Sequence, residues 1–434
     1  MTQTAVNQIN FADIPIVKDW SFSDKTIRDT AYITHSYYTY PAKFIPQLAS
    51  RLIKDYSEKG DIIVDTFMGS GTTIVEAIIN ERIGIGTDIN PIAHLVSKVK
   101  TTPIADDDLV RNLNELYFKI QNNSRESLFN QAHNAAVPTN ERLDFWYKPE
   151  QKEKLAGLLS RISEVEHKDC QDFFLVCFAQ ILKSCSIWLQ KSVKPTRDFT
   201  KKDIDPIDKF FAQAKTMLKK HREFNLLLSA KVRDNIDKFR VVRCADSRNQ
   251  PCGNGEASLV VTSPPYVTSY EYADLHQLPV LWFGYLENLA EFRKTFIGSA
   301  YKERQAVVDV QSKIALEIVQ KFSEKKKAKE VEIYFADMLE TFCEMHRVLK
   351  TGGKACVVIG NTKLRGVSIL NAEVFQEQMQ NIGFQTFDII HREIPSKMLP
   401  STRNEETGKF TKTSGKNMKL AYPTEYILVM QKVY

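Results

Sequence analysis

No stretch of about 18 uncharged apolar residues occurs in the chain, so no membrane-spanning helix is expected. Nor does a basic segment lead into an apolar one near Met1, and the expected location is cytoplasmic. Cysteine is sparse: seven, an odd number, with no C-x-x-C pair and no histidine cluster at zinc spacing, so no metal is expected. Cys170, Cys177 and Cys185 recur at about two-turn intervals around the apolar run 173–189, and read as core thiols on one helix face. No repeat of 20 to 50 residues is present, which disfavours a solenoid. Neither sign of charge dominates: 59 Lys and Arg against 53 Asp and Glu leave +6, compatible with a polyanionic partner without establishing one.

What is there is the composition of a folded protein, 43% hydrophobic and 26% charged. A length of 434 residues implies one main domain plus a sizeable insertion. Between Ile62 and Asn90 the pattern is strand (62–64), glycine turn (69–71), helix (72–80) and strand (83–87), a βαβ unit that builds a parallel sheet. Amphipathic helical patterns follow at 106–122, 151–165, 170–190 and 206–232, and 101–238 reads as a mainly helical insertion. Strand signals resume at 239–244, 258–262, 355–359, 385–390 and 426–431, the last two suited to an antiparallel edge pair. The expected fold is α/β, with residues 30–100 and 239–434 forming the sheet domain. The run 325–329 (KKKAK) reads as a solvated helix face.

Three stretches carry chemistry. The first, 64–73 (VDTFMGSGTT), puts glycines at a strand-to-helix turn, where backbone can approach a ligand and the free helix N–H groups suit an anionic one. It is not a P-loop, because Thr72 stands where a lysine is needed, nor a dinucleotide fingerprint, because position 74 is isoleucine. Asp65, just before the turn, is placed to accept from a cationic amine. The second is Asp88 in 84–91 (GIGTDINP), an acid at a strand end that can bind both hydroxyls of a ribose or simply cap a turn. The third is Ser263-Pro264-Pro265-Tyr266 after the apolar strand 258–262. Two prolines remove N–H donors and restrict the residue ahead of them, so the turn presents acceptors held rigidly. Acceptors aimed at both hydrogens of an exocyclic base amine favour attack by its nitrogen, and Tyr266 offers a face for an extruded base.

These residues resemble the amino-methyltransferases of bacterial restriction-modification systems, which make N4-methylcytosine or N6-methyladenine. The cofactor motif of that family resembles Asp65 to Thr73, and its catalytic motif, (D/N/S)-P-P-(Y/F/W), resembles Ser263 to Tyr266. Serine in the first place is the form typical of the cytosine-N4 group. The segment 35–46 (HSYYTYPAKFIP) resembles the one folding over the methionine end of the cofactor, Ala245-Asp246-Ser247 the acidic turn beside its adenine, and 349–353 (LKTGG) the glycine turn before the fifth strand. The resemblance implies a Rossmann-like class I methyltransferase sheet with an antiparallel terminal strand, S-adenosyl-L-methionine as cofactor, double-stranded DNA as partner and a cognate restriction endonuclease encoded nearby. It implies Ser263, Pro264, Pro265 and Tyr266 as catalytic residues. Lys43, Phe44, Asp65, Phe67, Gly69, Gly71, Thr72, Asp88, Asn90 and Asp246 are the expected cofactor-binding residues.

The chain departs from the family in having some 140 residues between the Asp88 and Asp246 strands, which leaves the target-recognition region unassigned. Two basic segments are candidates for DNA contact: Lys191, Lys194, Arg197, Lys201 and Lys202 in the insertion, and Arg403, Lys409, Lys412, Lys416 and Lys419 near the C-terminus. Either can equally be solvated surface. The rival readings are an adenine-N6 enzyme, an RNA guanine-N2 methyltransferase and a non-catalytic subunit that binds cofactor or DNA.

Overall fold

The computed structural model describes residues 10–41, 43–126, 138–192, 194–267, 271–286, 288–301, 309–394, 402–404, 418–420 and 423–434. Eleven strands occur among them: β1 (Ile62–Asp65), β2 (Ile83–Asp88), β3 (Arg240–Cys244), β4 (Ala257–Thr262), β5 (Leu349–Ile359), β6 (Thr362–Leu364), β7 (Val367–Ile369), β8 (Phe384–Glu393), β9 (Thr402–Asn404), β10 (Met418–Leu420) and β11 (Thr424–Lys432). Seven form one sheet in the order β3-β2-β1-β4-β5-β11-β8. The first five are parallel, and β11 lies antiparallel between β5 and β8. The expected antiparallel pair therefore closes one edge of the sheet, as a mixed sheet commonly does.

Both faces of this sheet are covered, which is why its central strands read as near-continuous apolar runs. Along β5, Ala355, Val357 and Ile359 face one core with the helix Lys325–Val348, while Cys356 and Val358 face another with the helix Pro46–Tyr56. β11 alternates in step, Leu428 and Met430 to the first core and Ile427 and Val429 to the second. Such period-two alternation fixes the register, since a one-residue slip would exchange the two faces. Along the helix Lys325–Val348, Lys327 and Lys329 pair with Glu330 and Glu332, while Lys325 and Lys326 are exposed.

Residues 101–238 hold long helices at Asp106–Glu126, Pro149–Ser163, Lys168–Cys185 and Pro206–Leu227. Cys170, Cys177 and Cys185 are buried on the third of these, as expected. They share a core with Tyr37, Tyr38 and the helix Gln277–Trp282, so the insertion packs against the segment that follows β4. Two expected helices end early: the chain turns extended at Ser186 and Leu228, and Ser229 caps a new short helix, Ala230–Arg233. The helix Pro91–Lys100 is not among the expected helical patterns; Pro91 is its first helical residue, where its missing N–H costs nothing. Gly352 and Gly353 lie within β5 rather than in a turn ahead of it, at a shift in its register with β4. No helix among the described residues is long and apolar enough to cross a membrane.

Candidate active site

The glycine loop is held from three sides. The Gly69 N–H donates to Asp88 Oδ2 at 2.9 Å and the Met68 N–H to the Thr87 carbonyl at 3.0 Å, so the loop hangs on the end of β2. Ser97 Oγ donates to the Gly69 carbonyl, and the buried Lys100 ammonium to that of Ser70. Gly69 and Gly71 have φ of +47° and +72°, the left-handed region that glycine enters without strain. At Gly71 a Cβ would also stand 2.7 Å from Ser97 Oγ.

Beneath the loop, Glu76 of the helix Thr72–Ile79 accepts from the Tyr32 hydroxyl and meets His35 Nε2 at 2.8 Å. Burial pushes the Glu76 carboxyl up to about 7 and holds His35 and Lys100 well below their ordinary values. The loop thus rests on a dry polar floor.

Asp65 ends β1 and is 2% exposed. Its Oδ1 accepts from Thr262 Oγ1 at 2.7 Å and from the Phe67 N–H at 3.1 Å, so one carboxylate ties the cofactor motif directly to the residue preceding Ser263. Burial raises Asp65 and Asp88 to about 6 each. Asp88 accepts backbone N–H groups on both oxygens, from Gly69 and Asn90, and is therefore a turn cap as well as a lining group.

The proline turn is pinned by long-range bonds. The Tyr334 hydroxyl donates to the Pro265 carbonyl at 2.9 Å, and the Tyr266 hydroxyl accepts the Gly360 N–H at 2.9 Å just beyond β5. The tyrosine ring is half-buried and fixed at both ends.

One cavity of about 470 Å³ unites these parts at the carboxyl edge of the sheet. Asp65, Gly69, Thr72 and Asp88 line one end, with Asp246 beside them; Ser263, Pro264, Pro265 and Tyr266 line the other. Lys43, Phe44 and Phe67 line it too. Lys43 donates to the His35 carbonyl at 2.8 Å, and burial pushes its ammonium down to about 8. Gly71 and Asn90 are not among the lining residues. Gly71 serves packing against the helix Pro91–Lys100, and Asn90 is fully buried as that helix's N-cap, accepting from the Ile92 N–H.

The cavity suits the expected cofactor by its own chemistry. Three lining hydroxyls, Thr66 Oγ1, Ser70 Oγ and Thr72 Oγ1, are buried with no partner among the described residues, a cost that a polar ligand removes. A desolvated carboxylate at Asp65 asks for a cationic neighbour, which the methionine α-ammonium is. Asp246 is less free than its motif suggested: Arg248 forks onto both its oxygens at 2.9 and 2.7 Å while also pairing with Asp337 and Glu340.

Sequence reasoning missed several lining groups. Phe22, Tyr272, Phe296, Arg392 and Glu425 belong to segments with no motif of their own and reach the cavity through tertiary packing. Of the basic residues considered for DNA contact, Lys201 is structural, its ammonium donating to the carbonyls of Lys183 and Trp188 at 2.7 and 2.8 Å. Arg197 is exposed between the rings of Phe145 and Phe199, and Lys191, Lys194 and Lys202 are exposed. In the C-terminal segment Arg403 and Lys419 face one another in register across β9 and β10, while Lys409, Lys412 and Lys416 lie outside the described residues.

The strand order, the glycine loop at the end of β1 and the proline turn at the end of β4 together define the class: a Rossmann-like sheet of the class I S-adenosylmethionine-dependent methyltransferases. Comparison with known proteins agrees. The family described as DNA methylase, the N6/N4 methyltransferases, matches residues 7–98 and 257–434, more than half the chain. The chain belongs to this family, and its cofactor is S-adenosyl-L-methionine. Over 430 residues it is 25% identical to the type II methyltransferase M.MvaI of Kocuria varians, covering 93% of this chain and 92% of that protein. It is 24% identical over 414 residues to the type II methyltransferase M.BsoBI of Geobacillus stearothermophilus, covering 82% and 79%. A shorter stretch of 84 residues is 39% identical to the type II methyltransferase M.MjaII of Methanocaldococcus jannaschii, covering 19% of this chain and 16% of that protein.

Proposed function

We propose that this DNA methyltransferase transfers a methyl group to the exocyclic N4 of cytosine in double-stranded DNA, as the modification enzyme of a restriction-modification system. The observation that carries the reading is the single cavity shared by the glycine loop and the Ser263–Tyr266 turn, joined through the Thr262–Asp65 hydrogen bond. Serine at position 263 supports cytosine over adenine. The type II designation of the relatives supports a restriction-modification setting, to which a cognate endonuclease would belong.

In this reading Asp65, Thr66, Ser70, Thr72 and Lys43 would hold the methionine end of the cofactor, Asp88 the ribose hydroxyls and Asp246 the adenine amine, with Phe44 and Phe67 as apolar walls. Bound there, S-adenosylmethionine supplies a methyl carbon made electrophilic by its positively charged sulfur. The chain contributes position and orientation, which can supply roughly 7 to 11 kcal/mol of a barrier when two reactants are aligned. Tyr266 takes the extruded base on its ring, and its fixed hydroxyl prevents the ring from swinging away. Acceptors of the Ser263–Pro264 turn draw on the two amine hydrogens, directing the nitrogen lone pair out of conjugation. As N4 gains the methyl group it becomes cationic and loses one of its protons to water, while those acceptors keep the amine oriented through hydrogen bonds.

Hydrolysing DNA modified by the pure protein and weighing the methylated nucleoside tests the assignment. N4-methylcytosine is the expected product; N6-methyladenine would overturn it.

A further inference from the structure

Beyond the Tyr266 hydroxyl the cavity wall holds a buried ion pair that neither motif includes. Arg392 closes β8 and Glu425 opens β11, directly opposite one another in the antiparallel register. Arg392 Nη1 donates to Glu425 Oε1 at 2.8 Å and Nη2 to the Ser21 carbonyl at 3.4 Å; the residue is 3% exposed and lines the cavity. Its Nε has no partner among the described residues. The pair sits beside the catalytic turn, for a Cβ at Gly360 would lie 3.2 Å from the Tyr266 hydroxyl and 3.7 Å from Glu425 Cβ. Facing it is Phe22, a bulky residue at φ +51°, whose ring lies 6.0 Å from the Arg392 guanidinium. Residues held in such strained conformations cluster at functional sites.

A buried ion pair adds little to stability compared with apolar residues of the same volume, so its place in a cavity wall asks for another use. Its overall neutrality argues against a phosphate and for the edge of an uncharged ring. We infer that Arg392, oriented by Glu425, is a specificity-determining residue that donates to N3 and O2 of the extruded cytosine. Those two acceptors stand side by side next to N4 and match a guanidinium fork. Adenine offers N1 and then a C–H at the same place, so the fork would lose a partner. This rests on the cytosine-N4 reading above.

The test uses the full-length protein and a duplex carrying its recognition sequence, read beforehand by methylation-sensitive sequencing. The target cytosine is either normal or replaced by 2-thiocytosine, whose sulfur is a poor acceptor. Arg392→Gln combined with Glu425→Gln, which leaves no unpaired charge, should lower kcat/KM on cytosine about 100-fold while the cofactor Kd stays within twofold. Arg392→Lys, which keeps the charge but not the fork, should behave alike and serves if the double variant fails to fold. The thio substitution should slow the wild type about tenfold and the variants scarcely at all. An equal thio penalty in wild type and variants, or wild-type activity of the variants on cytosine, would sink this inference alone. N6-methyladenine as the wild-type product would sink the base assignment and this inference together.

Discussion

The two ends of the cavity are assembled from very different lengths of chain. At the glycine-loop end, Asp88 lies 19 residues from Gly69, Ser97 28 from the same glycine, and Lys100 30 from Ser70. At the proline-turn end, Tyr334 is 69 residues from Pro265, Gly360 is 94 from Tyr266, and Ser21 is 371 from Arg392. A βαβ unit closes its loop locally and brings its own acid back to its own turn. The proline-turn end requires the whole sheet to be in order first, because β5, β8 and β11 contribute to it only once they are paired beside β4.

If the two ends have separate tasks, they can be broken separately. Ser263→Ala should lower the transfer rate by roughly 100- to 1000-fold, the range for removing one preorganised polar group at a reacting centre. Isothermal titration should still show nearly normal cofactor binding; a matching loss of affinity would mean that the ends are not independent. Asp65→Asn is the converse, expected to weaken cofactor binding by about 10- to 100-fold, the worth of one hydrogen bond to a charged group. Thermal unfolding of the same variant without cofactor should be little changed.

The pH dependence sharpens the contrast. Burial raises the Asp65 and Asp88 carboxyls to about 6, so below that pH the free protein carries them protonated and a cationic ligand must displace a proton. Cofactor affinity should therefore fall as pH drops below about 6, by up to about tenfold per unit for each proton displaced. In the folded protein alone the sign is opposite: a raised carboxyl contributes stability at low pH that is lost as pH rises through about 6. Asp65→Asn should flatten the binding profile; an unchanged slope would take Asp65 away from the ammonium.

The smallest effects belong to the insertion. Lys191, Lys194 and Lys202, each changed to alanine, should weaken DNA binding a few-fold and lower the salt slope by about 1 apiece if they meet phosphates. Lys201→Ala should instead lower stability by roughly 1 to 3 kcal/mol, because two backbone carbonyls lose their donor. A melting curve and a salt titration distinguish the two kinds of lysine.

Most of the sheet was legible because alternation and apolar runs are local, and because β1, β2 and β4 each end in a residue with a chemical reason to be there. Helix ends were less so. Ser186 and Leu228 turn extended within patterns that kept their helical period, and Pro91 begins a helix that no expected pattern covered. Among the expected site residues, Gly71 also packs against Ser97 and Asn90 also caps a helix, structural tasks that spacing alone does not reveal.

By itself the sequence determined the chemistry available at each strand end: glycines able to adopt positive φ, an acid before them, and a donor-free proline turn ahead of an aromatic. Those are properties of residue type and short spacing, and they hold in any fold that preserves the turns. Only the tertiary structure decided that Asp65 and Thr262 share a hydrogen bond, that Asp246 answers to Arg248, and that Arg392 and Glu425 meet beside Tyr266. The deciding contacts join segments far apart in the chain, where neither periodicity nor a motif records the partner, and they exist only once the cost of closing the loops between them has been met.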